Sequence, residues 1–212
     1  MTAGRFIVFE GGDGVGKSTQ VRRLVRRLTD QGHEVVQTFE PGDSAAGREI
    51  RRLVLDHASG ELDPRAEALL IAADKAQHLF EVIRPALARG AVVVCDRYVD
   101  SMLAYQGAGR VLDPDEVVRI ARWATADLRP DLTVLLDLDP RLAVGGKADK
   151  DKFESADLSF HDRARQHFLD LAAAEPERYL VLPARDPEAS IAEAVADRVA
   201  TLLSDRSGTL TP

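Results

Sequence analysis

The run Gly11-Gly12-Asp13-Gly14-Val15-Gly16-Lys17-Ser18 satisfies the spacing G-x-x-x-x-G-K-[ST]. That spacing suits the gripping of a phosphate chain. Glycines let successive backbone N–H groups curl around an anion, and the start of a following helix adds its positive end. Lys17 can then reach the β- and γ-phosphates of a nucleoside triphosphate, while the Ser18 hydroxyl can ligate Mg²⁺. Much further along the chain, Asp96-Arg97 closes an apolar run. An aspartate there can hold the water shell of the same cation, and an arginine can clamp a second phosphate bidentately. The chemistry on offer lies between two phosphate groups.

Such groups act together only if the chain brings them to one edge. Five short apolar runs could do so: Phe6 to Phe9, a weaker one from His33 to Thr38, Ala91 to Cys95, Thr133 to Leu136, and Tyr179 to Leu182. Nearly continuous apolar strands suggest burial on both faces, as in a parallel sheet covered by helices. Between the runs, Val21, Leu24, Val25 and Leu28 keep helical spacing, with Arg22, Arg23, Arg26 and Arg27 turned outward. Asp63-Pro64, Asp113-Pro114 and Asp186-Pro187 mark three further helix starts, the first helix running to Arg89 before Gly90. Each Asp can cap free N–H groups, and proline fits the first helical position. Trp123 is expected to pack within the second of these. The pattern predicts a doubly wound α/β fold with a five-stranded parallel sheet flanked by helices. One domain is expected over residues 1–206, with a loose tail at 207–212. The phosphate loop, Asp96-Arg97 and the turn Glu40-Pro41-Gly42 all follow strands, where ligands of open α/β sheets bind.

Composition narrows the function classes. The 212 residues carry 35 acids against 28 bases, a net charge of −7. A non-specific binder of nucleic acid or anionic membrane would be basic. The single cysteine, Cys95, can make no internal disulfide and reads as a small buried hydrophobe in a reducing compartment. The N-terminus lacks the basic stretch and apolar run of a signal peptide, and no run approaches the ~18 apolar residues of a membrane span. A cytoplasmic location without membrane or nucleic-acid partners is expected. His161 and His167 are not at the i, i+4 spacing of a helical metal pair.

Four stretches now carry a resemblance. They are Phe9 through Gln20, Glu40-Pro41-Gly42, Ala72-Ala73-Asp74-Lys75-Ala76-Gln77-His78, and Asp96-Arg97-Tyr98 onward with Ser101, Ala104, Tyr105, Gln106 and Gly107. In order and spacing the chain, from Phe6 to about Val181, resembles the thymidylate kinase family, which transfers the ATP γ-phosphoryl group to dTMP. The resemblance implies a three-layer P-loop NTPase fold with a short lid at about residues 141–157, use of ATP and Mg²⁺, and a homodimer paired through helices. It also implies residue roles. Gly11, Gly12, Asp13, Gly14, Val15, Gly16, Lys17, Ser18 and Thr19 would bind ATP, with Ser18 and Asp96 around Mg²⁺. Arg97 would hold the acceptor phosphate in line, with Asp13 near the acceptor sugar. Tyr105 would crowd the sugar 2′ position and favour deoxyribose. Gln106, Ser101, Glu40, Pro41, Ile71 and Lys75 would line the rest of the acceptor pocket.

Four departures accompany the match. Family members usually carry an aromatic in place of Ile71 and arginine in place of Lys75. Isoleucine covers a base without stacking, and lysine keeps the charge but loses the planar fork. Phe39 stands where the Thr-Arg-Glu-Pro-Gly pattern has arginine. The family's lid motif Asp-Arg-Phe-Glu appears as Asp151-Lys152-Phe153-Glu154, so Lys152 would have to serve for a transition-state arginine. Arg141 lies further back. Two readings stay beside the dTMP kinase: a kinase retuned to another nucleoside monophosphate, and a catalytically weak nucleotide-binding relative.

Overall fold

A computed structural model describes residues 4–142 and 151–204. Its centre is a five-stranded parallel sheet of β1 (Arg5–Gly11), β2 (Val35–Phe39), β3 (Val92–Asp96), β4 (Leu132–Asp137) and β5 (Tyr179–Pro183), ordered β2-β3-β1-β4-β5. The five apolar runs thus become the five strands. β1 is central and lies between β3 and β4, with Phe9 beside Asp96 and Gly11 beside Leu136. That register sets the phosphate loop next to Asp96-Arg97 at one edge of the sheet.

Alternate side chains serve opposite faces. Ile7, Phe9, Val94, Val134 and Leu136 pack on Val21, Leu24 and Leu28 of α1 (Lys17–Asp30) and on Ile191, Val195 and Val199 of α8 (Glu188–Ser204). Phe6, Val8, Val93 and Cys95 turn the other way, onto Leu79, Ile83 and Ala86. Burial on both sides leaves little room for polar residues in the central strands. Cys95 is fully buried, as expected of a small hydrophobe.

The Asp-Pro pairs open helices as predicted. Asp63 accepts from Arg65 N at the start of α3 (Pro64–His78), which runs through a wider π turn (Leu79–Ile83) into α4 (Arg84–Ala88). Asp113 accepts from the amides of Asp115 and Glu116 at the start of α6 (Pro114–Thr125). Three helices lacked such signals: α2 (Ala45–Leu55), α5 (Val99–Met102) with its π continuation Leu103–Gly109, and α7 (Leu158–Ala174). Glycine hid part of α5. Yet Gly109 is required there, because a Cβ would come within 2.5 Å of Cε2 of Phe160 on α7.

One expectation is overturned. Trp123 does not pack in the interior; it is 84% exposed. Val117, Ala121 and Thr125 already supply the buried face of α6, so Trp123 is turned to solvent. It borders an apolar groove with Leu69, Ala73 and Ala76 of α3 and Ile120 of α6. Residues 143–150, the middle of the expected lid, and the tail at 207–212 lie outside the described residues. No helix among the described residues is long and apolar enough to cross a membrane.

Candidate active site

At the carboxyl edge of the sheet a cleft of about 860 Å³ opens between the phosphate loop, the Glu40-Pro41 turn and α7. That volume lies toward the upper end of small-molecule sites. Its floor is the loop from Gly11 to Thr19. Gly11 has φ 129°, and a Cβ there would collide with the Leu136 carbonyl oxygen, so only glycine lets the loop leave β1 against β4. Gly16 is left-handed at φ 93°, and α1 then begins with no side-chain cap and no acid in its first turn. Its leading amides and dipole are therefore available to an anion. Lys17 Nζ donates to the carbonyls of Gly11 at 3.0 Å and Gly12 at 2.5 Å. Burial, followed by the Arg97 charge, lowers its pKa to about 8.

Ser18 Oγ donates to Asp96 Oδ2 at 2.7 Å, which sets two hard oxygen donors side by side at the mouth of the loop. Mg²⁺ takes one or two such protein oxygens and completes its shell with water and phosphate, so the donor set fits that cation.

Arg97 sits on a left-handed residue with φ 71°. Its backbone N–H donates to Phe9 O at 2.9 Å. The guanidinium lies across the phosphate loop. Nη1 donates to Gly11 O (3.0 Å), Ser101 Oγ (3.0 Å) and Tyr105 OH (3.2 Å), and Nη2 donates to Asp13 Oδ1 (2.5 Å). Burial pushes the Asp13 carboxyl up, but Arg97 and Lys17 outweigh it and hold the group below the usual carboxylate range. The guanidinium also stands 5.2 Å from the Tyr105 ring centre. That ring packs against both Phe153 and Phe160, at 5.8 and 5.7 Å, in a three-ring cluster whose phenylalanines are themselves 6.5 Å apart.

Beneath Arg97 lies Glu10, fully buried. Its carboxylate accepts from Tyr98 N (2.8 Å), Ser101 N (3.2 Å) and Ser101 Oγ (2.6 Å). Burial, then the nearby Asp100, raises its pKa to about 7.

At the cleft wall after β2, Glu40 precedes a cis peptide to Pro41 and is buried against Lys75 and His78, with His78 Nδ1 at 2.8 Å. Burial pushes the Glu40 carboxyl up, but Lys75 and His78 prevail and bring it below its ordinary value. Lys75 Nζ donates to the Glu40 carboxylate and, at 2.7 Å, to the Tyr98 carbonyl. Its charge is committed to the wall. Gln106 Nε2 donates to Glu67 Oε1 at 3.1 Å, and Arg110 grips the same carboxylate through Nε and Nη2.

Every residue given a catalytic, nucleotide or metal role from sequence lines this cleft except Lys152. Its backbone N–H donates to Leu55 O at 3.2 Å and its ammonium to Leu53 O at 3.4 Å, both carbonyls at the end of α2. A helix C-terminus offers free carbonyls to a cation. Its neighbours Asp151, Phe153 and Glu154 line the cleft instead. Arg141 pairs with Asp139.

Sequence reasoning passed over several cleft or wall residues. Arg51 on α2 donates from Nη1 to Pro41 O at 2.7 Å and stacks 5.7 Å above Phe39. Arg165 on α7 holds Asp137 bidentately at 2.7 and 2.9 Å. Without α2 and α7, neither arginine had a signal that set it apart from surface charge. Glu67, the anchor of Gln106, was readable only as a first-turn acid.

The family model described as thymidylate kinase matches residues 9–195. The thymidylate kinase of Cutibacterium acnes is 60% identical over 201 residues, covering 95% of this chain and 98% of that protein. That of Deinococcus radiodurans is 51% identical over 205 residues, covering 93% and 99%. Among solved structures, thymidylate kinase from Ehrlichia chaffeensis superposes with a TM-score of 0.78 at 29% identity, covering 94% of this chain and 99% of that one.

Proposed function

The chain belongs to the thymidylate kinase family, and from that premise we propose how its own residues carry out the transfer of a phosphoryl group from ATP to dTMP. The reaction is a nucleoside monophosphate kinase step that yields dTDP and ADP. An oxygen of the dTMP phosphate attacks the γ-phosphorus of ATP, and the bond from that phosphorus to the β,γ-bridging oxygen breaks. The observation that carries the assignment of roles is the facing pair of cations. Lys17 lies in the phosphate loop, and Arg97 lies 3.0 Å from the Gly11 carbonyl across it. Lys17 and the leading amides of α1 hold the donor phosphates. Arg97, fixed by Asp13, Ser101 and Tyr105, holds the acceptor phosphate. Alignment of this kind is the main resource of phosphoryl transfer.

Ser18 and Asp96 hold Mg²⁺, which neutralises charge on the transferring phosphates when bound. Tyr105, packed against two phenylalanine rings that flank one another, excludes a 2′-hydroxyl by bulk. Burial pushes its phenol far above the working range, so it stays neutral beside the sugar. Ile71 and Pro41 cover the base, while Gln106 offers the remaining edge of its amide. Lys75 and Glu40 shape the wall. The protein acts in the cytoplasm.

Steady-state ADP release with Mg·ATP and a panel of monophosphates tests this reading. The expected result is a kcat/KM for dTMP at least tenfold above dUMP, UMP, dCMP, dGMP and AMP. Another monophosphate in first place would show a retuned base pocket. ATP binding without turnover of any of them would remove the kinase assignment.

We also propose a homodimer paired through α3 and α6. Leu69, Ala73, Ala76 and Phe80 recur at helical spacing, and Leu69, Phe80 and Trp123 are all strongly exposed. Light scattering should give twice the chain mass for the wild type and the single mass for Trp123→Glu/Leu69→Glu, with the melting temperature retained. A wild type of single mass at micromolar concentration would dismiss the pairing.

A further inference from the structure

We infer that Glu10, buried behind the cleft, is a positioning residue that fixes Arg97 by dictating which way the Ser101 hydroxyl points. The inference rests on the reading that Arg97 holds the acceptor phosphate. Glu10 Oε2 is 2.6 Å from Ser101 Oγ, and Arg97 Nη1 is 3.0 Å from the same oxygen. A carboxylate only accepts and a guanidinium only donates. The single Ser101 proton must therefore go to Glu10, which leaves a lone pair for Arg97. The other carboxylate oxygen accepts the amides of Tyr98 and Ser101 and so pins the short α5 turn that follows Arg97. The chain of donors and acceptors runs Asp13, Arg97, Ser101, Glu10.

This gives Ser101 a second role. Its hydroxyl proton is spent beneath the cleft, so what it contributes to the acceptor site is the angle of Arg97.

Glu10→Gln isolates the effect because it preserves shape. Its amide oxygen can keep both backbone N–H bonds, and its NH₂ group takes the place of Oε2. That NH₂ donates to Ser101 Oγ, so residue 10 no longer holds the Ser101 proton and the hydroxyl loses the fixed direction that presents its lone pair to Arg97. Loss of the hydroxyl's direction is thereby separated from loss of the backbone anchor.

The experiment measures KM for dTMP, KM for ATP, kcat and melting temperature for Glu10→Gln, Ser101→Ala, the double variant and Arg97→Ala at pH 8. Glu10→Gln and Ser101→Ala should each raise KM for dTMP about tenfold, the scale of one lost bond to a charged group, with KM for ATP within about twofold. The double variant should be no worse than the worse single, because both break one relay. An unchanged KM for dTMP in either single variant, or a double variant equal to the product of the singles, overturns the inference. If Glu10→Gln fails to fold, Ser101→Ala decides, since it leaves both amide bonds to Glu10 in place. If Arg97→Ala itself leaves KM for dTMP unchanged, the reading of the acceptor site has failed. If Arg97→Ala impairs dTMP and Glu10→Gln does not, only the relay has failed.

Discussion

Lys17→Met should leave a folded protein whose kcat is lower by about 10²–10³, the usual loss when one preorganised electrostatic donor is removed. Methionine keeps the length of the side chain and discards its charge. The lysine is 7% exposed and its ammonium is partly desolvated, as its lowered pKa of about 8 reflects. Removing a buried cation relieves that desolvation, so stability should be kept or raised. The Gly11 and Gly12 carbonyls lose a donor but border the open cleft, where water can replace it. What disappears is the positive charge proposed to meet the β- and γ-phosphates. A coupled ADP assay and a melting curve read the two halves of the expectation separately. A variant within tenfold of wild-type kcat would remove Lys17 from the transfer step.

Arg97→Ala should lower kcat/KM for dTMP by about 10²–10³, while KM for ATP moves by less than about threefold. Removing one preorganised donor aimed at a reacting group costs about 10²–10³ in rate, and the truncation also leaves a half-buried carboxylate without its partner. Here that carboxylate is Asp13, which depends on Arg97 for its low pKa. Arg97→Lys should fall between, since it keeps the charge and loses the fork that reaches Asp13, Ser101 and Tyr105 at once. Alanine at φ 71° carries the same left-handed strain as arginine, so the backbone is not a new source of loss. Equal increases in both Michaelis constants would place the residue's effect on the whole cleft and not on the acceptor.

Much of this arrangement was legible in the chain. β1, β3 and β4 are buried on both faces and therefore read as unbroken apolar runs. The phosphate loop is bound to its spacing by the backbone it must form. Asp96-Arg97 was legible from its place after a strand. The hidden parts are those whose meaning depends on a distant neighbour. Gly109 makes sense only beside Phe160, and Glu67 only beside Gln106 and Arg110. Lys75 stands where the family usually carries an arginine, yet its partner Glu40 lies 35 positions away and takes its charge into the wall. Lys152 sat in the family's lid motif, but the free carbonyls at the end of α2 claim it. Trp123 looked like a core residue because indole usually is one. Its helix had already filled its inner face with smaller side chains.

The meeting of Gly109 and Phe160 limits the routes a lineage can take. Any side chain at 109 collides with the ring of Phe160, which also stacks on Tyr105. Shrinking Phe160 first would open a cavity, with a loss of about 3–5 kcal/mol. That is a large share of the 5–15 kcal/mol that holds a typical domain together. Neither single step is easily survived, so the two positions can change only together or after stability has accumulated elsewhere. Descendants of this chain should inherit 105, 109 and 160 as one block, and the shape proposed to select deoxyribose is preserved by packing even where selection on the substrate itself is weak.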